Sequence, residues 1–205
     1  MRFAAGTLAA GPAIVVEAHL AQCTACRARV GAYQALGGAL LEDTPPTSLS
    51  ATALSDVLAL IEAEEVVDAP ATRPLAPLEI DGVVLPEALR GCDIGRWRWI
   101  GPGIRARDVH APRDGACRVI LLKIDPGRET PRHTHGGIEL TCVLSGAYAT
   151  ETERFDVGDL EEADHEVLHQ PRVVSAIPCL CVVALDGEIQ LDGWLGRLMQ
   201  PFVRL

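Results

Sequence analysis

The sequence predicts an α+β chain of two domains, a small N-terminal helical bundle followed by an all-β barrel. Three observations predict it. Up to about residue 66 the chain is rich in Ala, Leu and Glu and shows almost no strand-like alternation. Residues 66–86, VVDAPATRPLAPLEIDGVVLP, then carry four prolines, which stop helices and suit an extended linker. From residue 96 onward short β-rich runs follow one another, WRWI, CRVILLKI, LTCVL, AYATETERF and CLCVVAL, separated by Gly, Pro and Asp-Gly turns. Strands in succession without intervening helices suggest a barrel or sandwich. The boundaries are a helical domain at 1–68, a linker at 69–88 and a β-domain at 89–205.

Composition narrows the function. A chain of 205 residues that is 48% apolar can build a substantial core. No apolar run is long enough to span a bilayer, and MRFAAGTLAAGPAIVV lacks the basic start of a secretory signal, so a cytoplasmic protein without membrane contact is expected. Seven cysteines, an odd and sparse set, read as reduced thiols with some on metal rather than as a disulfide framework. The net charge is −10, from 28 acids against 18 bases, and Lys123 is the sole lysine. Such a surface repels nucleic acid but can cover a basic protein partner. Ten acids and four bases fall in residues 1–85, giving −6 to the first part and leaving −4 for the rest.

Pro12 opens a first helix through AIVVEAHLAQC, and RARVGAYQALGGALLE continues as a second that ends before Pro45 and Pro46. In SATALSDVLALIEAEE, residues Leu54, Val57, Leu58 and Ile61 repeat at i, i+3, i+4 and i+7 and make one apolar face that needs a partner. HLAQCTAC closes the first helix, with His19 and Cys23 on one helical face, so that three donors can converge without distorting it. His19 and Cys23 stand one helical turn apart, and Cys26 follows at the spacing of a zinc knuckle. The stretch is either a three-donor zinc site, one short of the four a closed structural site takes, or a helical core in which the cysteines act as small hydrophobes.

The stronger constellation is GRETPRHTHGGIELTCVLSG, residues 127–146. His133 and His135, at i and i+2 of a strand, share a face, and Glu139 returns to it after the Gly136-Gly137 bend. Downstream, FDVGDLEEADHEVLHQP offers His165 and His169 after the Gly158-Asp159 turn.

Residues 127–146 resemble the first cupin motif at every spaced position. The Gly158-Asp159 turn with a histidine ten residues after the aspartate resembles the second motif, which selects His169, although the usual Pro and Gly between them are missing. The resemblance implies a cupin, or jelly-roll, barrel whose metal is held by His133, His135, Glu139 and His169. The whole order, H-x3-C-x2-C helices, proline-rich linker, cupin and the endings CLCVVAL and GWLGRLMQPFVRL, resembles the ChrR-type zinc-binding anti-sigma factors. Members of that family begin with a further short helix bearing an additional zinc-binding histidine, whereas this chain begins at about the AAGTL turn that follows it.

What the resemblance implies is an anti-sigma factor, with zinc on His19, Cys23 and Cys26, that sequesters an extracytoplasmic-function sigma factor and releases it under oxidative or singlet-oxygen stress. Leu54, Val57, Leu58 and Ile61 would then belong to the sigma-binding surface, and the cupin would hold a divalent metal, zinc first, with Fe, Mn or Ni as alternatives. A cupin metalloenzyme of dioxygenase type is the rival reading, but it has no need of the helical domain. Cys179 and Cys181, at i and i+2 of an apolar strand, are either core packing or, if they face the metal, redox-sensing thiols. His110 and His165 read as surface residues, Cys142 faces away from Glu139, and Trp97, Trp99 and Trp194 read as core or rim aromatics.

Overall fold

The computed structural model describes residues 1–63, 76–110 and 117–193. Trp194 and the GWLGRLMQPFVRL ending from that residue on, and the first part of the expected linker, lie outside the described residues. Three helices come first, α1 (Ala10–Leu20), α2 (Thr24–Glu42) and α3 (Ala53–Ala63). Pro12 sits in the first turn of α1, where its missing N–H costs no intrahelical bond.

The helices do not form the expected bundle. Ile14, Val15 and Ala18 of α1 are buried instead against the main sheet, in one cluster with Val119, Leu121, Leu140, Cys142, Leu180 and Val182, so α1 and the sheet share one core. Neither α2 nor α3 buries a residue. Ile14, Val15 and Val16 of α1 pack on the sheet side, while the leucines of α2, interrupted by Gly37 and Gly38, stay exposed. The end of the expected linker is also structured. A hairpin of β1 (Glu79–Ile80) and β2 (Val83–Val84), followed by a 3-10 turn at Glu87–Leu89, buries Ile80, Leu85 and Leu89 in the same cluster.

Fourteen strands are present among the described residues. The main sheet contains β3 (Asp93–Ile94), β4 (Arg98–Gly101), β5 (Ile104–His110), β6 (Arg118–Ile124), β8 (Glu139–Ser145), β11 (Leu160–Ala163) and β13 (Cys179–Leu185). Its order is β11-β8-β13-β6-β5-β3, with β4 pairing β5, and the named pairs are antiparallel. Facing it are a three-stranded sheet of β10 (Arg154–Phe155), β9 (Tyr148–Ala149) and β12 (Arg172–Val173), and the pair β14 (Ile189–Leu191) with β7 (His133–His135). The layers form a sandwich, and the ladders do not close into a barrel among the described residues. AYATETERF, expected as one strand, is a hairpin turning at residues 150–153, and β5 was not marked by the sequence pattern.

Every residue of β13 is buried. Leu180, Val182 and Ala184 face the α1 side, while Cys179, Cys181, Val183 and Leu185 face inward with Ile120, Ile124, Tyr148 and Ile189. Two-sided burial explains why CLCVVAL reads as a continuous apolar run. Gly137 has a separate reason: a Cβ there would stand 1.7 Å from the carbonyl oxygen of Asp186, so the bend tolerates no side chain.

The seating of α1 on the sheet is open to a direct test. Val15 is fully buried, so Val15→Ala should lower the unfolding free energy by about 2 kcal/mol in urea titrations. Leu58→Ala on the exposed α3 should change it by less than about 0.5 kcal/mol. Equal and small effects would detach α1 from the β-domain.

Candidate metal centres

His133 and His135 lie on β7 with Thr134 between them, so both rings point inward. His169 joins them through an antiparallel bridge to His133, with backbone N–H to O distances of 3.0 and 3.1 Å. All three rings are buried, at 6%, 3% and 3% exposure. Their Nε2 atoms converge: His169 Nε2 is 3.1 Å from that of His135 and 3.2 Å from that of His133.

The outer nitrogens explain the orientation. His133 Nδ1 donates to Pro131 O at 2.7 Å and His169 Nδ1 to Glu161 Oε1 at 3.1 Å. Acceptors at both Nδ1 atoms place the protons there, leaving Nε2 lone pairs aimed at one another. Facing lone pairs repel, and a cation between them removes the repulsion. The separations also suit a metal, since ligands at about 2.0–2.1 Å from zinc in tetrahedral geometry lie roughly 3.3 Å apart. The donor set therefore fits a divalent metal.

Glu139 stands elsewhere than among the three nitrogens. Its Oε2 is 3.5 Å from Nδ1 of His135, behind that ring, and its Oε1 accepts from Thr141 Oγ1 at 2.9 Å. The three-donor group that the structure brings together is His133, His135 and His169. Glu161 is the residue that sequence reasoning missed. It accepts from His169 and, at 2.5 Å, from the Tyr148 hydroxyl. No sequence signal marks it; the register that pairs Glu161 with Thr141 on β8, two residues from Glu139, brings it to the site.

Burial dominates the electrostatics. It lowers His133 and His135 to about 4, so both rings are neutral at neutral pH and free to ligate. It raises the Glu139 carboxyl to about 7. For His169 burial works against the charged ring, but the Glu161 carboxylate outweighs it and raises the ring above its ordinary value. Glu161 is the mirror case: burial pushes it up, yet the bonds from His169 and Tyr148 hold it below the usual carboxylate range.

An apolar cavity adjoins the histidines, lined among others by Ile100, Ile120, Leu122, Cys179 and Cys181. The two sulfurs are 3.6 Å apart and both thiols are buried. The Cys179 hydrogen bond and burial push the Cys181 thiol far above its ordinary value. Cys142, on the opposite face of the sheet, is pushed up to about 12 by burial.

The second cluster is a corner rather than one helical face. α1 ends at Leu20, and Cys23 is the N-cap of α2, its sulfur accepting from Cys26 N at 3.4 Å. His19 sits in the last turn of α1 and Cys26 in the first turn of α2. One donor atom from each of His19, Cys23 and Cys26 lies within 4.8 Å of the others, all half-buried. The bond from the Cys26 backbone lowers the Cys23 thiol, a helix N-terminus favouring the thiolate, whereas its bond with Cys23 raises Cys26. Two sulfurs and an imidazole are a zinc-type donor set. His110 and His165 are exposed, as expected. Trp97 packs at the rim of the α1-side core beneath the Arg107 guanidinium, 4.5 Å from its ring centre, and Trp99 is exposed.

Comparison with known proteins covers the segments that carry both clusters. Residues 87–187, which contain the histidine cluster and both inward cysteines, match the ChrR cupin-like domain family, and residues 1–27, which contain His19, Cys23 and Cys26, match a zinc-finger family. The anti-sigma-E factor ChrR of Cereibacter sphaeroides is 40% identical over 205 residues, covering 99% of this chain and 93% of that protein. A chain in the crystal structure of Rhodobacter sphaeroides SigE in complex with the anti-sigma ChrR superimposes with a TM-score of 0.71 at 37% identity, covering 90% of this chain and 93% of that one. Among the described residues no helix is long and apolar enough to cross a membrane. With identity at this level along nearly the whole of both sequences, the chain belongs to the ChrR family of zinc-binding, cupin-bearing anti-sigma factors.

Proposed function

We propose that this chain holds an extracytoplasmic-function sigma factor inactive through its N-terminal helices and releases it when the β-domain registers oxidative stress. The observation that carries this reading is the state of α2 and α3. Neither helix buries a residue, and Leu54, Val57, Leu58 and Ile61 on α3 are 72%, 53%, 49% and 62% exposed, joined on α2 by Leu36 and Leu40. An exposed apolar stripe of this kind along one helix marks a partner interface. The charge of −6 over residues 1–85 suits a basic, DNA-facing partner, and the SigE complex of the related protein supports the choice of a sigma factor. A small-molecule metalloenzyme would use the cavity but has no role for two unpartnered helices.

His19, Cys23 and Cys26 would hold zinc, with a further coordination position left to water or another donor. In the β-domain His133, His135 and His169 would hold a divalent metal, zinc or alternatively Fe, Mn or Ni, with Glu139 orienting His135 from behind its ring. When bound, such a metal supplies Lewis-acid activation of an incoming peroxide or related oxygen species. The apolar cavity favours neutral, organic inputs and shields the thiols from aqueous oxidants. There Cys179 and Cys181 would give up two protons and two electrons to a hydroperoxide, forming a disulfide as the oxidant leaves as alcohol and water. Residues i and i+2 of a strand have Cα atoms about 6.7 Å apart, near the upper limit for a disulfide. Closing the bond therefore strains β13, whose other face seats α1.

Three outcomes test this reading. The double substitution Leu58→Asp, Ile61→Asp should weaken binding of the cognate sigma factor at least ~10-fold by calorimetry while leaving the unfolding midpoint unchanged; undiminished affinity would move the interface elsewhere. His169→Ala should remove the β-domain metal in elemental analysis of the purified chain, and His165→Ala should retain it. Cys179→Ser with Cys181→Ser should keep sigma binding but lose release by an organic hydroperoxide in an in vitro transcription assay. Release at the parent rate would make the pair simple core packing.

A further inference from the structure

The two clusters are joined by a contact between residues 139 positions apart: His19 Nδ1 lies 2.6 Å from the carbonyl oxygen of Gly158, at the turn that leads into β11. A carbonyl only accepts, so the ring proton is on Nδ1 and Nε2 is left as the metal-binding atom. The carbonyl is held firmly. Gly158 N donates to Val143 O at 2.9 Å, Val143 N to Asp159 O at 3.1 Å, and Asp156 N to Asp159 Oδ2 at 2.8 Å. Gly158 has φ +90°, a conformation that disfavours any L side chain, and a Cβ there would press on Gln22 at 3.1–3.3 Å. The contact thus seals the corner of HLAQCTAC against the turn. Three residues beyond Gly158 stands Glu161, the acceptor for His169.

We propose that the Gly158 turn of the β-domain is the outer support of His19 as a metal ligand, and that it links the metal affinity of the N-terminal cluster to the state of Glu161 and His169. This rests on the reading that His19, Cys23 and Cys26 hold a metal. Histidine ligands are oriented by what their second nitrogen donates to, and loss of that partner weakens metal binding about 10–100-fold. Here the partner comes from the other end of the chain. The N-terminal cluster is therefore complete only while the β-domain turn stays in place, which gives a change at His169 a covalently short route, through β11, to the helices that would carry the sigma factor.

The test is a cobalt(II) titration of the full chain, followed by the thiolate-to-metal absorption that the cysteine-bearing cluster gives, with chelator competition to set the affinity. Gly158→Ala should weaken cobalt binding about 10–100-fold. Glu161→Gln should weaken it at least ~5-fold if the link to His169 holds. Unchanged affinity in a folded Gly158→Ala chain overturns the support, and unchanged affinity in Glu161→Gln overturns the link. If Gly158→Ala does not fold, imidazole nitrogen NMR of the zinc-loaded parent decides: a protonated, exchange-protected Nδ1 at His19 supports the proposal, and a protonated Nε2 overturns it. Absence of thiolate-to-cobalt absorption in the parent would instead remove the metal from His19, Cys23 and Cys26, a failure of the underlying reading that the variants cannot mimic.

Discussion

Most of this structure depends on β13 being buried on both faces. Strand alternation sends Cys179, Cys181, Val183 and Leu185 into the cavity and Leu180, Val182 and Ala184 against α1. One seven-residue strand therefore touches both the cavity beside the histidines and the helix that carries His19. Because protein interiors are close-packed, a change of shape on one face cannot be absorbed without moving the other. That geometry makes the strand a physical connection between chemistry in the β-domain and the N-terminal helices.

The histidine cluster illustrates how burial selects a protonation state. Three rings removed from water are costly to charge, and His133 and His135 are accordingly lowered to about 4. Nδ1 of His133 and of His169 each face a protein acceptor, which turns their Nε2 atoms inward. Glu161 and Tyr148 complete a chain of buried polar groups in which each member has a partner. Most of the surrounding wall is apolar, with Ile100, Ile104, Ile120, Leu122 and the two cysteines beside the polar groups.

The N-terminal segment shows the opposite balance. α1 gains its stability from the sheet, whereas α2 and α3 present apolar side chains to solvent. An isolated helix as short as α3, with 11 residues, is marginal in water, so its apolar face favours a structure completed by another chain. The Cys23 cap and the His19 contact with Gly158 hold the start of α2 close to the Gly158 turn.

The sequence by itself determined the elements whose signal is local. Spacing within residues 127–146 was enough to find His133 and His135, because two residues along a strand always share a face. The alternation that turns Cys142 away from the cavity and the apolar stripe of α3 were legible for the same reason, whereas only the resemblance to the second cupin motif separated His169 from His165. What depended on contacts between distant segments was not legible. No local pattern distinguishes Glu161 from Glu162; only the register of β11 against β8 decides which carboxylate reaches His169. Nor does spacing reveal that HLAQCTAC bends into a corner, that Glu139 stands behind His135, or that α1 lies on the sheet instead of in a bundle. Those outcomes were decided by the tertiary structure, since they follow from which surfaces bury each other, a competition among the whole chain's apolar faces that no single stretch of residues contains.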